Sequence, residues 1–329
     1  MRSIRLATVI WLLTTPPAAA ESKGTFSLDT VPCLGFENCQ RISNGQVEIV
    51  VTTDVGPRIA RYAMVGGPNA LAEMRKKGDP PPEMDRFNLF GGHRLWVGPE
   101  DRSRTYRPDN LPVLWSRLAP NRLQFTAPVD ARTGLQKTIT VSLETSGSRA
   151  TIGHRIENRG KKATALTPWA ITVLPSEGTG LIPNEPEVAH DGAGLLPVRN
   201  IALWGYADMG DGRVRWGKRF LHLSPLDKKT PFKIGIENRQ GWMAHVQATQ
   251  VFVKRFPFQE GRVYPDRNSN CELFTNGAFM ELESLGPIQK VAPGKSATHE
   301  EVWQLFANVK IPTDDDAIDT MLRPLLRGE

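Results

Sequence analysis

The segments TITVSLE (Thr138–Glu144) and TIGHRIE (Thr151–Glu157) decide the fold class, because polar and apolar residues alternate in both with a period of two. This period is typical of a half-buried β-strand, whose successive side chains point to opposite faces. Gly, Pro, Asn or Asp residues separate nearly all such runs, as in antiparallel strands joined by turns. The sequence therefore predicts an all-β sandwich or barrel. Further predicted strands are Gln46–Thr52, Arg122–Thr126, Ala170–Leu174, Arg219–Leu223, Phe232–Glu237, Met243–Val253, Phe279–Leu285 and His299–Phe306.

Composition excludes the other fold classes. The 329 residues include 29 Gly and 26 Pro, which disfavour a helical bundle because both residues interrupt helices. No helical pattern alternates with the strands, so a parallel α/β sheet is not expected. One short helix is predicted near the C-terminus, where Ile318, Met321, Leu322 and Leu325 form an apolar stripe. Pro324 is expected to disturb its last turn.

The N-terminus has the layout of a secretory signal peptide. Arg2 and Arg5 precede the short apolar run Leu6–Leu13, and the small residues Ala18–Ala20 offer a cleavage site. We expect residues 1–20 to be removed near Ala20 and residues 21–329 to form one domain, periplasmic or secreted. The alternative is a retained N-terminal anchor.

The charge of the mature chain gives no sign of a nucleic-acid partner. Cleavage would remove two of the 41 basic residues and no acidic ones, which lowers the net charge from +6 to +4. No basic block with interleaved aromatic residues occurs, so no nucleic acid is expected to bind. No apolar run in the rest of the chain is long enough to span a bilayer, so no membrane contact is expected after cleavage. The pattern does not indicate an oligomeric state.

The three cysteines fit an exported protein. Cys33 and Cys39 bracket the Gly-containing loop CLGFENC, where a local disulfide is expected in an oxidising compartment. Cys271 is then the odd residue, and we expect it to be a buried free thiol.

The segment NLFGGHRLWVGPE (Asn88–Glu100) is a candidate ligand site. Its paired glycines allow close approach of the backbone, and His93, Arg94 and Trp96 follow at once. Arg supplies a planar fork of donors and Trp a flat apolar face, which together suit the hydroxyls and the C–H face of a sugar. The alternative is that Arg94 pairs with a carboxylate and Trp96 belongs to the core.

A second dense segment runs from Lys254 to Pro287. It contains Lys254, Asp266, Glu272 and the alternating pair Glu281 and Glu283 of MELESL. Two carboxylates on one strand face can transfer protons or bind hydroxyls, although a solvated polar face is the alternative. Asp266 and Glu272 with Asn270 could collect a hard cation such as Ca²⁺, but hydrogen bonding among turn residues is the better explanation, so we predict no metal. No nucleophile elbow, zinc-protease motif or P-loop occurs, and no cofactor is expected.

Several of these motifs are similar to those of a known protein family. GGHRLWVGPE, YPDRNSNCELFT and FMELESLGPIQKVAPGKSATHEEVWQL resemble a family of exported bacterial proteins of unknown function. That family is grouped with the galactose mutarotase-like, or aldose epimerase-like, superfamily. The resemblance covers about residues 45–306. It implies a β-supersandwich of large antiparallel sheets with a carbohydrate site on a concave face.

The resemblance also suggests roles for individual residues. Mutarotases use a Glu base on a late strand, and Glu281 matches that position. They use a His acid on a middle strand, but Trp169 stands there in this sequence. His93 is the candidate replacement, with Lys254 as the alternative acid or charge stabiliser. Mutarotases bind the sugar with an early Arg, a role that Arg58 or Arg94 can fill.

Two functions follow as hypotheses. The first is an exported carbohydrate-binding protein that is non-catalytic or only weakly catalytic. The second is a sugar-active enzyme with Glu281 as general base, either an epimerase or a lyase or hydrolase acting on an acidic glycan. The residues expected to be catalytic are Glu281 and His93; those expected to bind the sugar are Arg58, Arg94, Trp96, Trp169, Lys254, Asp266 and Glu272.

Overall fold

The computed structural model describes residues 25–226 and 228–327. The predicted signal peptide, residues 1–20, lies outside the described residues. The all-β prediction is confirmed. The strands are β1 (Ser27–Cys33), β2 (Phe36–Ser43), β3 (Val47–Thr52), β4 (Arg58–Met64), β5 (His93–Gly98), β6 (Leu114–Ala119), β7 (Arg122–Thr126), β8 (Leu135–Leu143), β9 (Ala150–Asn158), β10 (Thr164–Pro175), β11 (Thr179–Pro183), β12 (Ile201–Leu203), β13 (Val214–Trp216), β14 (Phe220–Leu223), β15 (Phe232–Ile236), β16 (Trp242–Gln247), β17 (Gln250–Arg255), β18 (Cys271–Thr275), β19 (Phe279–Leu285), β20 (Gln289–Val291) and β21 (Ser296–Ala307).

The strands form two large antiparallel sheets. The front sheet has 11 strands in the order β1-β2-β3-β4-β5-β10-β19-β18-β15-β12, with β20 also paired to β10. The back sheet has 10 strands in the order β13-β14-β11-β16-β17-β21-β9-β8-β7-β6. Sequence neighbours such as β10 and β11 lie in different sheets, so the chain crosses repeatedly between the two layers.

The main hydrophobic core lies between the sheets. Ile139 and Val141 of TITVSLE and Ile152 and Ile156 of TIGHRIE are buried in it from the back sheet. The front sheet contributes alternate residues of its own strands, including Leu95, Leu273 and Leu282. Because the side chains of a strand alternate, the residues between these face away from the back sheet.

Strand β5 was not among the predicted strands, and its presence determines the site. It runs through the motif that contains His93, Arg94 and Trp96, so these neighbours cannot all point to one side. The predicted strand Met243–Val253 is instead a hairpin of β16 and β17. The first error arises because a strand buried on its two faces loses the polar–apolar alternation by which a sequence reveals it. The second arises because the turn between β16 and β17, at residues 247–250, contains no Gly, Pro, Asn or Asp.

A short helix lies near the C-terminus, as predicted. Helix α2 (Asp315–Arg327) packs Ile318 and Leu322 against the back sheet beside Phe220 and Trp242. Pro324 lies inside this helix, and the helix continues for three more residues. The structure has a second short element, α1 (Pro265–Asn268), and a 3₁₀ turn at Gly192–Leu195.

The cysteines are arranged as expected. Cys33 and Cys39 form a disulfide, and Cys271 is a buried free thiol on β18. Within the described ranges, no helix is both long enough and apolar enough to cross a membrane.

Candidate functional site

Five adjacent strands of the front sheet carry polar and aromatic side chains on the face turned away from the back sheet. Arg94 on β5 lies in register with Ile171 on β10, which pairs with Glu283 on β19, which pairs with Glu272 on β18. Residues in register across neighbouring strands share a face. We call the following residues the outer-face cluster: Arg94, Trp96, Trp169, Lys233, Glu272, Glu281 and Glu283.

Arg94 and Glu281 form a buried ion pair. Nη2 of Arg94 lies 2.9 Å from Oε1 of Glu281, and the side chains are 3% and 9% exposed. The guanidinium lies 4.5 Å from the centre of the Trp96 ring and 5.3 Å from that of Phe87. Burial raises the pKa of Glu281, with Glu283 adding to the rise and Arg94 opposing it. Nε and Nη1 of Arg94 are buried without a hydrogen-bond partner, so the pair retains donors for a ligand.

Lys233 joins two further carboxyl groups of the cluster. Its Nζ lies 2.6 Å from Glu272 and 2.8 Å from Glu283, and it sits 4.4 Å and 4.7 Å from the ring centres of Trp169 and Trp204. Nε1 of Trp169 donates a 2.8 Å hydrogen bond to Oε2 of Glu283. Burial would lower the pKa of Lys233, but Glu272 and Glu283 outweigh it and raise the pKa. Lys233 is therefore charged.

Glu272 is the most strongly perturbed acid of the cluster. Burial raises its pKa well above the usual value, and the neighbouring Glu283 and Asp266 raise it further against the effect of Lys233. Glu272 and Glu283 therefore share the single ammonium group of Lys233.

Aromatic side chains line one side of the cluster. The ring of Trp96 packs edge-on against Trp169 at 5.5 Å, Phe87 at 5.2 Å and Tyr106 at 4.9 Å between centroids. Tyr106 is 39% exposed and donates a hydrogen bond from its hydroxyl to Glu100. The cluster is thus bordered by apolar surface with a partly solvated rim.

Arg58 and Asp266 flank the cluster. Arg58 on β4 pairs in register with Arg94, but its guanidinium is engaged by Asp109 at 3.1 Å and by the carbonyl oxygen of Gly91 at 2.7 Å. Asp266 belongs to α1, where its φ of 49° is left-handed, and burial raises its pKa. Arg58 therefore holds the loop before β5, and Asp266 adds an acidic group beside Glu272.

His93 lies on the opposite face from Glu281, which corrects the expectation that the two act together. It is completely buried between the sheets, where Nδ1 is 2.9 Å from Oγ1 of Thr172 and Nε2 is 2.8 Å from Nε2 of His154. The reason is the period of β5, which sends His93 inward and Arg94 outward. Burial holds the pKa of His93 well below its usual value, with His154 and Lys254 adding to the effect.

Lys254 is likewise a core residue and does not line the cluster. Its Nζ lies 2.7 Å from Oε1 of Glu301 on β21. It also donates to the carbonyl oxygens of Ala170 and Leu282 and to Oγ1 of Thr172, each at 3.0 Å. Lys254 thus links the back sheet to two strands of the front sheet, and its ammonium group lies between the sheets rather than on the face expected to bind a sugar.

His93, His154 and Glu301 place three potential metal ligands within 4.8 Å of one another. Their contacts are better explained as a hydrogen-bond chain. Because Lys254 donates to Thr172, the Thr172 hydroxyl is free to donate to His93, whose Nε2–H then donates to His154. His154 completes the chain by donating to the carbonyl oxygen of His299, 3.2 Å away. The ammonium of Lys254 beside Glu301 would also repel a cation, so we assign no metal here.

Sequence reasoning missed Lys233 and did not assign Glu283 to the site. Both are buried on the cluster face, at 5% and 0% exposed. The signal for Lys233 was present, because a lone Lys inside the apolar strand FKIGI needs a buried partner. The alternation in MELESL predicted that Glu283 shares a strand face with Glu281, and the structure confirms this.

Comparison with known proteins connects this architecture to a class of fold. No protein-family model matches the chain, and no curated protein matches it. A galactose mutarotase-like protein from Lactobacillus casei superposes with a TM-score of 0.54 at 10% identity, covering 82% of this chain and 100% of that one. A galactose mutarotase related enzyme from Lactobacillus acidophilus gives 0.52 at 8% identity, covering 82% and 98%.

A TPR-domain containing protein from Parabacteroides distasonis is also similar. It superposes with a TM-score of 0.56 at 16% identity over 88% of this chain. The chain spans only 50% of the length of that protein. At these identities the likeness concerns the fold alone. The protein therefore has the galactose mutarotase-like fold, as the resemblance implied.

Proposed function

We propose that this protein binds a carbohydrate at the outer-face cluster. The observation that carries the proposal is the Arg94–Glu281 pair, buried beside the faces of Trp96 and Phe87 with two Arg94 nitrogens left without partners. Such a surface offers donors and an acceptor to hydroxyl groups and an apolar face to C–H groups. The mutarotase-like fold of the chain supports the same ligand class.

A sugar-active enzyme is the second candidate, favoured by the environment of Glu281. Its carboxyl group is nearly buried and its pKa is raised by that burial, which is the condition of a general base that works near neutral pH. An epimerase fits better than a lyase or hydrolase on an acidic glycan. Arg94 and Lys233 are each already paired with carboxylates, so the cluster offers no free cation to an acidic sugar.

The test is a binding screen of the mature protein against neutral and acidic monosaccharides and oligosaccharides by NMR and calorimetry. Arg94→Lys should weaken binding of any hit by about tenfold or more, because charge-assisted hydrogen bonds are lost. Arg107→Lys is the matched control, since Arg107 pairs with Asp130 at 2.8 Å outside the cluster. Absence of binding across the panel, or binding indifferent to Arg94→Lys, would refute the proposal.

We also propose export through residues 1–20, with cleavage near Ala20. The Cys33–Cys39 disulfide supports an oxidising destination, in the periplasm or outside the cell. Mass spectrometry of the chain recovered from periplasm and medium should find an N-terminus near Glu21. Recovery of the uncleaved chain in the cytoplasm would contradict export.

A further inference from the structure

The outer-face cluster is closed to solvent, although it lies on the face of the front sheet that the back sheet does not cover. No residue of the cluster is more than 7% exposed. A ligand therefore contacts the Arg94–Glu281 pair only if the chain that covers this pair moves. In many proteins a loop that covers a binding site opens to admit the ligand and closes again over it.

The loop between β4 and β5 covers the ion pair. Phe87 of this loop packs against an apolar group of β5, β10 and β19, and the centre of its ring lies 5.3 Å from the guanidinium of Arg94. Leu89 packs against the apolar group that contains Val173, and Val173 pairs in register with Glu281. Phe87 and Leu89 therefore lie on the outer face of the front sheet, one beside each partner of the pair.

Few contacts hold this part of the loop to the rest of the chain. We call residues 83–89 the flap. Within residues 25–226 and 228–327, the hydrogen bonds that join the flap to other segments all come from Nδ2 of one residue, Asn110. This amide donates to the carbonyl oxygens of three flap residues, Glu83, Met84 and Arg86. A segment held by one amide and by apolar packing opens more readily than the paired strands below it.

The flap covers polar groups without satisfying them. Nε and Nη1 of Arg94 are buried without a hydrogen-bond partner. A permanent cover over a polar group normally supplies a partner, because an unpaired buried donor costs free energy. The flap presents the apolar side chains of Phe87 and Leu89 instead. This arrangement favours a cover that opens over one that is a fixed part of the core.

We propose that the flap is a lid, which opens to admit a ligand to the Arg94–Glu281 pair and which Asn110 holds closed. Opening breaks the hydrogen bonds of Asn110 and separates Phe87 from Trp96, whose ring centres are 5.2 Å apart in the closed form. The strands of the front sheet keep their pairing. The association rate of a ligand therefore depends on the fraction of molecules in which the flap is open. Closure excludes water and strengthens the polar contacts between the ion pair and the ligand.

This inference rests on the proposed function, because it concerns access to that site, but the first measurement needs no sugar. Phenylglyoxal modifies arginines that it can reach, and mass spectrometry of peptides gives the rate at each one. In the wild type, Arg94 should react about tenfold or more slowly than the exposed Arg117, since it reacts only in the open form. Asn110→Ala and Phe87→Ala should each raise the rate at Arg94 by about tenfold, since each removes a contact of the closed form. Equal rates at Arg94 and Arg117 in the wild type would show that the flap does not close the site.

Two controls separate opening of the flap from wider unfolding. Asn121→Ala is matched to Asn110→Ala, because Nδ2 of Asn121 also donates to a backbone carbonyl oxygen, that of Leu143, but on the back sheet. It should leave the rate at Arg94 unchanged. Arg213, whose side chain is 1% exposed outside the cluster, should react equally slowly in all variants. Rates that rise together at Arg94 and Arg213, or an unchanged rate at Arg94 in Asn110→Ala, would overturn the proposal.

Stopped-flow binding of a sugar identified by the screen then tests the flap and the ligand class separately. Asn110→Ala should raise the association rate about tenfold, because a larger fraction of the molecules is open. An unchanged association rate refutes the lid and leaves the proposed function standing. If Arg94 labelling responds to Asn110→Ala as expected but no sugar binds, the lid stands and the carbohydrate proposal fails.

Discussion

Replacing Lys254 with methionine should strongly destabilise the protein without acting on the outer-face cluster. The side chains of Lys254 and Glu301 are both 0% exposed, and their charged atoms are 2.7 Å apart between the two sheets. Methionine has a similar length but no charge, so Lys254→Met leaves Glu301 buried without a cation. Lys254 also satisfies the carbonyl oxygens of Ala170 and Leu282, which lose their donor.

The expected loss is about 3–5 kcal/mol, the usual effect of removing one partner of a buried ion pair. The second variant is Lys254→Met/Glu301→Gln, which removes the uncompensated charge. Because Gln keeps an oxygen that accepts from Trp303, we expect this double variant to be more stable than Lys254→Met by about 2 kcal/mol or more.

Urea denaturation followed by tryptophan fluorescence measures these differences. Lys254→Met should lower the midpoint by about 1 M or more. Lys228→Met is the control, because Lys228 pairs with Asp211 at 2.9 Å while 42% exposed, and such pairs contribute about 1 kcal/mol or less. If Lys254→Met loses less than about 1 kcal/mol but abolishes sugar binding, then Lys254 acts at the ligand site and its assignment to the core is wrong.

Three further outcomes are expected. Gly91→Ala should destabilise by more than about 1 kcal/mol, because Gly91 has a φ of 82° and a Cβ there would lie 2.1 Å from the carbonyl oxygen of Ala72. Gly147→Ala, with a φ of 72° and nothing within 4 Å, is the control, and equal losses in urea midpoints would contradict the close-approach argument. Reduction of the Cys33–Cys39 disulfide should cost about 2 kcal/mol for so short a loop, checked by melting with and without dithiothreitol; an unchanged melting temperature would count against it. Acidification from pH 6.5 to 5.5 should destabilise by about 1 kcal/mol for each histidine whose pKa burial lowers, since the unfolded chain takes up protons that the folded chain does not. The raised pKa values of the cluster carboxyls oppose this, and a midpoint that does not fall would refute it. The histidines whose pKa burial lowers to about 3 are His154, His245 and His299.

The candidate site was predictable only where a strand pattern was visible. MELESL shows its alternation plainly, and the structure places Glu281 and Glu283 on one face as that pattern requires. The segment HRLWVG has no alternation, because polar and apolar residues are buried on both sides of β5. The sequence therefore indicated a functional Arg94 and Trp96 but could not show that His93 points the other way.

Long-range partners explain the remaining differences. Lys254 and Glu301 are far apart in sequence, and only the pairing of β17 with β21 brings them together inside the core. The partners of Lys233 likewise come from β18 and β19. No local pattern contains this information, because register and sheet order determine which side chains meet.

The amino-acid sequence by itself determined that the chain forms many antiparallel strands, since alternation and turn residues are local properties. It also determined the short C-terminal helix and which acids share a face of β19. The tertiary structure alone decided which polar residues lie between the sheets and which lie on the outer face. A side chain belongs to the core or to a ligand site according to the layer that covers it, and that layer is built from distant parts of the chain.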